Sequence, residues 1–165
     1  MNWWLKSFIL SCSLILSGCQ TYNPSSELVV PQLIAALPPS DNQPVFIGKG
    51  AWMPQQRGAY EYRHMGWADN YPAYKEGGLV ITDSNIYFAE YDHSGAKYFM
   101  SKKLELNAIQ ETILDNYGLN RFFGVQGEDL EWNTFQFIKT AVVDTEKTEQ
   151  AYNFVRLILE QNKKN

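Results

Sequence analysis

Cysteine and histidine are scarce in this chain of 165 residues, and their scarcity limits the chemistry that the chain can perform. The only two cysteines are Cys12 and Cys19, so the long stretch after Cys19 has neither a disulfide nor a thiol ligand. The two histidines, His64 and His93, lack the spacing that places two imidazoles on one helix face. The sequence therefore predicts no metal centre.

Motifs of catalysis and cofactor binding are also missing. The sequence contains no G-x-S-x-G elbow, no phosphate-binding glycine loop and no dinucleotide fingerprint. We therefore predict a protein without catalytic residues and without a bound coenzyme. The alternative is a small periplasmic hydrolase whose carboxylates converge in a pocket. The acids considered for that alternative are Glu76, Glu90, Asp92, Glu111 and Asp115.

Positive charge is low and dispersed. The chain has 14 lysines and arginines against 18 acids, a formal net charge of −4, and this balance predicts no nucleic-acid partner. Lys97, Lys102 and Lys103 are basic, but they do not form a dense basic loop. We interpret these lysines as solvated strand residues, with an anionic lipid site as the alternative.

The amino-terminal segment combines a basic residue, a short apolar run and a cysteine. Lys6 precedes ten uncharged residues, 7–16, and Ser17-Gly18-Cys19 follows them. This run is shorter than the roughly 20 residues that span a bilayer. Leu16-Ser17-Gly18-Cys19 resembles the lipobox of bacterial lipoproteins. The resemblance implies that residues 1–18 are a signal peptide that is removed and that Cys19 is acylated. An ordinary secretory signal with an incidental cysteine is the alternative.

The same resemblance implies a location. Two or three acyl chains hold a protein on a membrane almost permanently. In lipoproteins of two-membrane bacteria an aspartate after the acylated cysteine usually signals inner-membrane retention, and this chain has Gln20 there. We therefore expect an outer-membrane lipid anchor on Cys19 and a domain that faces the periplasm, with cell-surface exposure left open.

Residues 19–44 are predicted to be the acylated cysteine and a tether rich in proline. Five of the seven prolines in the chain lie there, and proline at this density disfavours a long helix or a central strand. An apolar patch, residues 28–37, interrupts this tether. We expect the patch to pack against the domain or to form one short helical turn. The alternative is a docking site for a partner protein.

From Val45 onward, the apolar residues alternate at period two between turn-forming residues, which indicates antiparallel strands. The clearest turn is Thr82-Asp83-Ser84-Asn85. A helical stripe then follows, with Asp144 or Thr145 as its start. The predicted strands are 79–81, 86–89, 98–106, 109–114, 120–125 and 132–139, with 46–53 and 59–65 as an edge hairpin. The predicted helix covers residues 145–161.

Residues 45–162 are therefore predicted to form an α+β domain, mainly antiparallel β: a partly open barrel of six to seven strands closed by one carboxyl-terminal amphipathic helix. The hairpin sequence GGLVITDSNIYF, residues 77–88, resembles GRAM-like and bacterial pleckstrin-homology domains. The aromatic strand WNTFQF, residues 132–137, before the helix is similar to their closing elements. This pleckstrin-homology-like resemblance implies a binding scaffold rather than a reaction. Another small antiparallel barrel or an α+β sheet is the alternative.

Residues 52–74 are the strongest candidate for contact with a partner. Aromatic rings beside cationic groups are typical of binding hot spots. The candidate binding residues are Trp52, Arg57, Arg63, Trp67, Tyr71 and Tyr74. We expect an envelope protein or a glycan as the partner. The alternative is that many of these rings fill the barrel.

Overall fold

A computed structural model describes residues 26–41, 43–55, 57 and 75–163. Several predictions fall on other residues and lie outside the described part of the chain. These are the acylated Cys19 with the signal peptide, the strand predicted for residues 59–65, and the binding candidates Arg63, Trp67, Tyr71 and Tyr74.

The described elements begin with a helix and continue as a run of strands. They are α1 (Ser26–Ala36), a 3₁₀ turn (Pro39–Asp41), β1 (Phe46–Pro54), β2 (Lys75–Ile81), β3 (Asn85–Asp92), β4 (Lys97–Glu105), a second 3₁₀ turn (Leu106–Ala108), β5 (Glu111–Tyr117), β6 (Asn120–Gln126), β7 (Trp132–Lys139), β8 (Val142–Val143) and α2 (Thr145–Asn162).

The strands form one antiparallel sheet in the order β4-β3-β2-β1-β7-β6-β5, and the two-residue strand β8 pairs with β7. Strands β4 and β5 are the two ends of this order, so the curled sheet is an incompletely closed barrel. Its interior is aromatic, with Phe88, Phe123 and Phe135 fully buried. The predicted α+β class and pleckstrin-homology-like layout are confirmed by this strand order and by the closing helix α2.

Six predicted strands are confirmed as β2 to β7, with ends that differ by at most four residues from those predicted. The edge position predicted for β1 is wrong, because β1 lies between β2 and β7. Alternation shows that a strand has a buried face, but it does not show which strands flank it. Gly50 permits the central position: a Cβ there would lie 2.5 Å from Leu79 Cβ and 2.9 Å from the Gln136 carbonyl oxygen.

Helix α1 covers the outer face of β1 to β4 with a second apolar cluster. Val29 and Leu33 are buried there against Val80 and Tyr87. The helix is eleven residues long although Pro31 lies inside it. A proline inside a helix costs about 3 kcal/mol, while each buried aliphatic side chain contributes about 1.5–3 kcal/mol. The apolar patch at residues 28–37 therefore packs against the domain, as expected, and the folded body extends back to α1.

Helix α2 closes the other side of the barrel. Asp144 caps it by accepting a hydrogen bond from Lys147 N at 3.1 Å. Ala151 and Val155 are buried in the barrel core, and Phe154 packs against it. Neither helix in the described part of the chain combines the length and the apolarity that crossing a bilayer requires.

Candidate functional site

Side chains with opposite charges gather at one end of the barrel interior. Strand β1 ends there and β2 begins there, with Trp52 opposite Lys75 in the register. Glu90, near the end of β3, and Lys102 of β4 also reach this end. We call these four residues, Trp52, Lys75, Glu90 and Lys102, the mouth cluster.

Trp52 is the apolar floor of the mouth cluster. The residue is 9% exposed, and its ring centroid lies 5.5 Å from that of Phe88. The indole Nε1 donates a hydrogen bond to Asn133 Oδ1 at 3.0 Å. A ring held by packing on one side and by a hydrogen bond on the other has a fixed orientation. Trp52 is therefore a core residue that supports the site, and little of its ring is accessible to a partner.

Two ammonium groups lie over this ring. Lys75 Nζ is 5.3 Å from the ring centroid and Lys102 Nζ is 6.0 Å from it, within the range of cation–π attraction. Lys75 Nζ also lies 2.8 Å from Glu90 Oε1. The hydrogen bond from Lys75 lowers the pKa of the Glu90 carboxyl group, although burial opposes this shift. The carboxylate consequently stays ionised and pairs with Lys75.

Lys102 has a different environment. In the described part of the chain, no carboxylate lies within salt-bridge distance of its ammonium group. Its neighbour Lys103 points to the opposite face of β4 and pairs with Glu105 at 3.0 Å. The three lysines that the sequence groups together are therefore divided between two faces. The mouth cluster holds two ammonium groups and one carboxylate, which leaves a net positive charge beside a buried indole.

Arg57 lies on the other face of the sheet. Its guanidinium is 5.1 Å from the Trp132 ring centroid, and its Nη2 is 3.3 Å from Glu111 Oε1. Trp132 points outward because the next residue, Asn133, points inward to Trp52. The described residues therefore do not bring the candidates Arg57 and Trp52 to one surface.

The five acids considered for a hydrolase have separate surroundings. Glu76 is exposed, and hydrogen bonds from Ser94 lower the pKa of Asp92. Two described clefts have volumes of about 300 and 360 Å³, and neither is lined by any of these acids. Among the described residues, no group of three His, Cys, Asp or Glu side chains could hold a metal ion. Within the described residues we find no arrangement that supports the hydrolase alternative.

The sequence analysis does not single out Lys75, Glu90 or Asn133 as parts of one site. Strand parity was the available signal. Lys75 has the same parity as the buried Leu79 on β2, and Glu90 has the same parity as the buried Phe88 on β3. Parity thus groups each charged residue with one strand face, but it does not tell which face lines the barrel, because Val80 and Tyr87 on the other face are buried as well. No comparable signal identifies Asn133.

Neither a protein-family model nor a curated protein matches this sequence. Among solved structures, the chain is similar to the Slm1-PH domain in complex with phosphoserine, with 11% identity over 71% of this chain and 96% of that chain and a TM-score of 0.44. The Slm1-PH domain in complex with inositol-4-phosphate is 9% identical over 70% of this chain and 96% of that chain, with a TM-score of 0.45. Vav1 with an allosteric inhibitor gives 10% identity over 94% of this chain and 33% of that chain, with a TM-score of 0.49. A likeness at this level does not indicate a shared ligand or function.

Proposed function

We propose that this chain is a lipid-anchored, non-catalytic binding module of the bacterial cell envelope, and that its ligand contacts the mouth of the barrel. The observation that carries the proposal is the ammonium group of Lys102, held over the buried indole of Trp52 without a carboxylate within salt-bridge distance among the described residues. No described feature favours a reaction as a second candidate.

The anchor is supported by the sequence Leu16-Ser17-Gly18-Cys19. Acylation of Cys19 places the protein on the envelope, and Gln20 favours the outer membrane with the domain in the periplasm. The test is incorporation of labelled palmitate in the native host. Label is expected in the wild-type chain and absent from Cys19→Ala. Label that persists in Cys19→Ala contradicts the anchor.

The ligand is expected to present an anionic group. Charge-assisted hydrogen bonds from an ammonium group are stronger than neutral ones, and the packed indole fixes the surface over which Lys102 lies. The chain that leaves β1 at Pro54 and returns at Lys75 starts and ends at this mouth. The remaining candidates Arg63, Trp67, Tyr71 and Tyr74 belong to that connection. A carboxylate of an envelope protein or an acidic group of a glycan has the required chemistry.

A matched pair of variants tests the role of the mouth. Lys102 and Lys103 are adjacent on β4, and their side chains lie on opposite faces of the sheet. Lys102→Gln therefore removes the charge at the mouth, and Lys103→Gln is the control. Crosslinking and pull-down from envelope extracts should recover a partner with the wild type and with Lys103→Gln, and recover much less with Lys102→Gln. Equal recovery with both variants, or no recovery under any growth condition, contradicts the proposal.

A further inference from the structure

The direction of α1 on the sheet determines which end of the domain is nearest to the lipid anchor. Leu33 of α1 packs on Gly78, which is opposite Ala89 of β3. Farther along the chain, Asp41 accepts hydrogen bonds from Asn85 and Tyr87 at the start of β3. From Leu33 to Asp41 the chain thus moves against the direction of β3. Helix α1 therefore begins toward the end of β3 and finishes toward its start.

The apolar contacts agree with this direction. The cluster under α1 also contains Tyr98 and Tyr91, which face each other near the end of β3 and the beginning of β4. From Leu33 back to Ser26 a helix rises about 10 Å. Because α1 contacts β4 and β1 on either side of β2 and β3, its axis crosses the strands, and Ser26 lies toward the end of β3 that carries Asp92.

The chain between the anchor and α1 is short. Seven residue steps separate Cys19 from Ser26, and they span at most about 25 Å in any conformation. The turn between β3 and β4, which contains His93, therefore stays close to the acylated cysteine. Ser84, at the opposite end of β3, lies about 30 Å farther along the sheet, because nine residues of extended chain separate it from His93.

We propose that the lipid anchor keeps the β3–β4 end of the domain, which also holds the mouth cluster, nearer to the membrane than the opposite end. Phe99, which is 46% exposed, and Lys97 lie at this end. Exposed apolar rings and lysines are suited to the interface between headgroups and water.

This inference depends on the proposed acylation of Cys19, and the test separates the two. Removal of residues 1–18 and acylation of Cys19 leave a mature chain without a free thiol, so His93→Cys and Ser84→Cys can each carry one fluorescent donor. Both positions are exposed turn residues. The acylated proteins are reconstituted in vesicles of phosphatidylethanolamine and phosphatidylglycerol that contain a headgroup-labelled acceptor lipid.

Energy transfer from position 93 is expected to be several-fold more efficient than transfer from position 84. As a control, about 20 glycine and serine residues inserted after Gln20 should reduce the difference, because the longer connection releases the domain. Equal transfer from both positions in vesicle-bound protein, or stronger transfer from position 84, overturns the orientation alone. Failure of the chain to associate with vesicles overturns the anchor and the orientation together.

Discussion

The packing of α1 on the sheet predicts a strong coupling between Leu33 and Gly78. A Cβ at Gly78 would overlap Leu33 Cδ2 and would lie 2.8 Å from Leu33 Cδ1 and 3.0 Å from Cγ. All three of these atoms belong to one fully buried side chain. Gly78→Ala must therefore displace the Leu33 side chain within its buried site. Overpacking of this kind costs about 1–3 kcal/mol of unfolding free energy.

The size of the coupling follows from a double-mutant cycle. Leu33→Ala alone should cost about 2–5 kcal/mol, because it removes a buried leucine. In the Leu33→Ala background the overlapping atoms are absent, so Gly78→Ala should cost close to nothing. The expected coupling is therefore about 1–3 kcal/mol, measured by urea denaturation and followed by both circular dichroism and tryptophan fluorescence.

Gly77 provides the matched control on the same strand. A Cβ at Gly77 would overlap the carbonyl oxygen of Ala89, which is backbone that Leu33→Ala does not change. Gly77→Ala should thus destabilise the domain equally in both backgrounds. If Gly78→Ala costs the same with and without Leu33, or costs nothing in the wild type, the described packing of α1 is refuted.

Three further predictions concern buried polar groups. Thr148→Val should cost about 1–3 kcal/mol in urea denaturation, because the fully buried hydroxyl accepts from a backbone amide of β7, and an unchanged midpoint would contradict this. Burial and the hydrogen bond to Asp41 raise the pKa of Tyr87. The contribution of Tyr87 to the free energy of unfolding is therefore complete below pH of about 10 and falls above it. The stability gap between wild type and Tyr87→Phe should then narrow in titrations above pH 10, and a constant gap would refute the assignment. The hydrogen bond from Lys75 lowers the pKa of Glu90. The difference in unfolding free energy between wild type and Lys75→Met should therefore be complete above pH of about 4.5 and shrink in more acidic solution. A difference that grows at acidic pH would count against the Lys75–Glu90 pair.

The local elements could be predicted because their signals lie in neighbouring residues. Two short apolar runs, 79–81 and 86–89, on either side of a turn-forming segment predict the β2–β3 hairpin. In the turn, the Thr82 hydroxyl accepts a hydrogen bond from the Asn85 amide at 2.9 Å. The helix start at Asp144 has the same local origin. Helix α1 was only partly predictable, because Pro31 disfavours a helix and the burial that outweighs this cost comes from strands far along the chain.

The candidate site shows the opposite case. The β2–β3 hairpin was predictable, but the predicted strands covered only residues 79–81 and 86–89. Lys75 and Glu90 lie beyond them, and their pairing followed only when the structure extended β2 back to Lys75 and β3 on to Asp92. Asn133 is 81 residues from its partner Trp52, and no local pattern joins them. The sequence also grouped Lys102 with Lys103, and the strand directs the two side chains to opposite faces.

By itself, the amino-acid sequence determined which segments alternate, where the chain turns, where the last helix begins, and that a cysteine follows a short apolar run. Those properties depend on interactions within a few residues. Only the tertiary structure decided that β1 is central, that α1 packs against β1 to β4, and that two ammonium groups lie over one buried indole. These features are contacts between residues distant in the chain, and their free energy arises only when the whole sheet has curled and buried its faces.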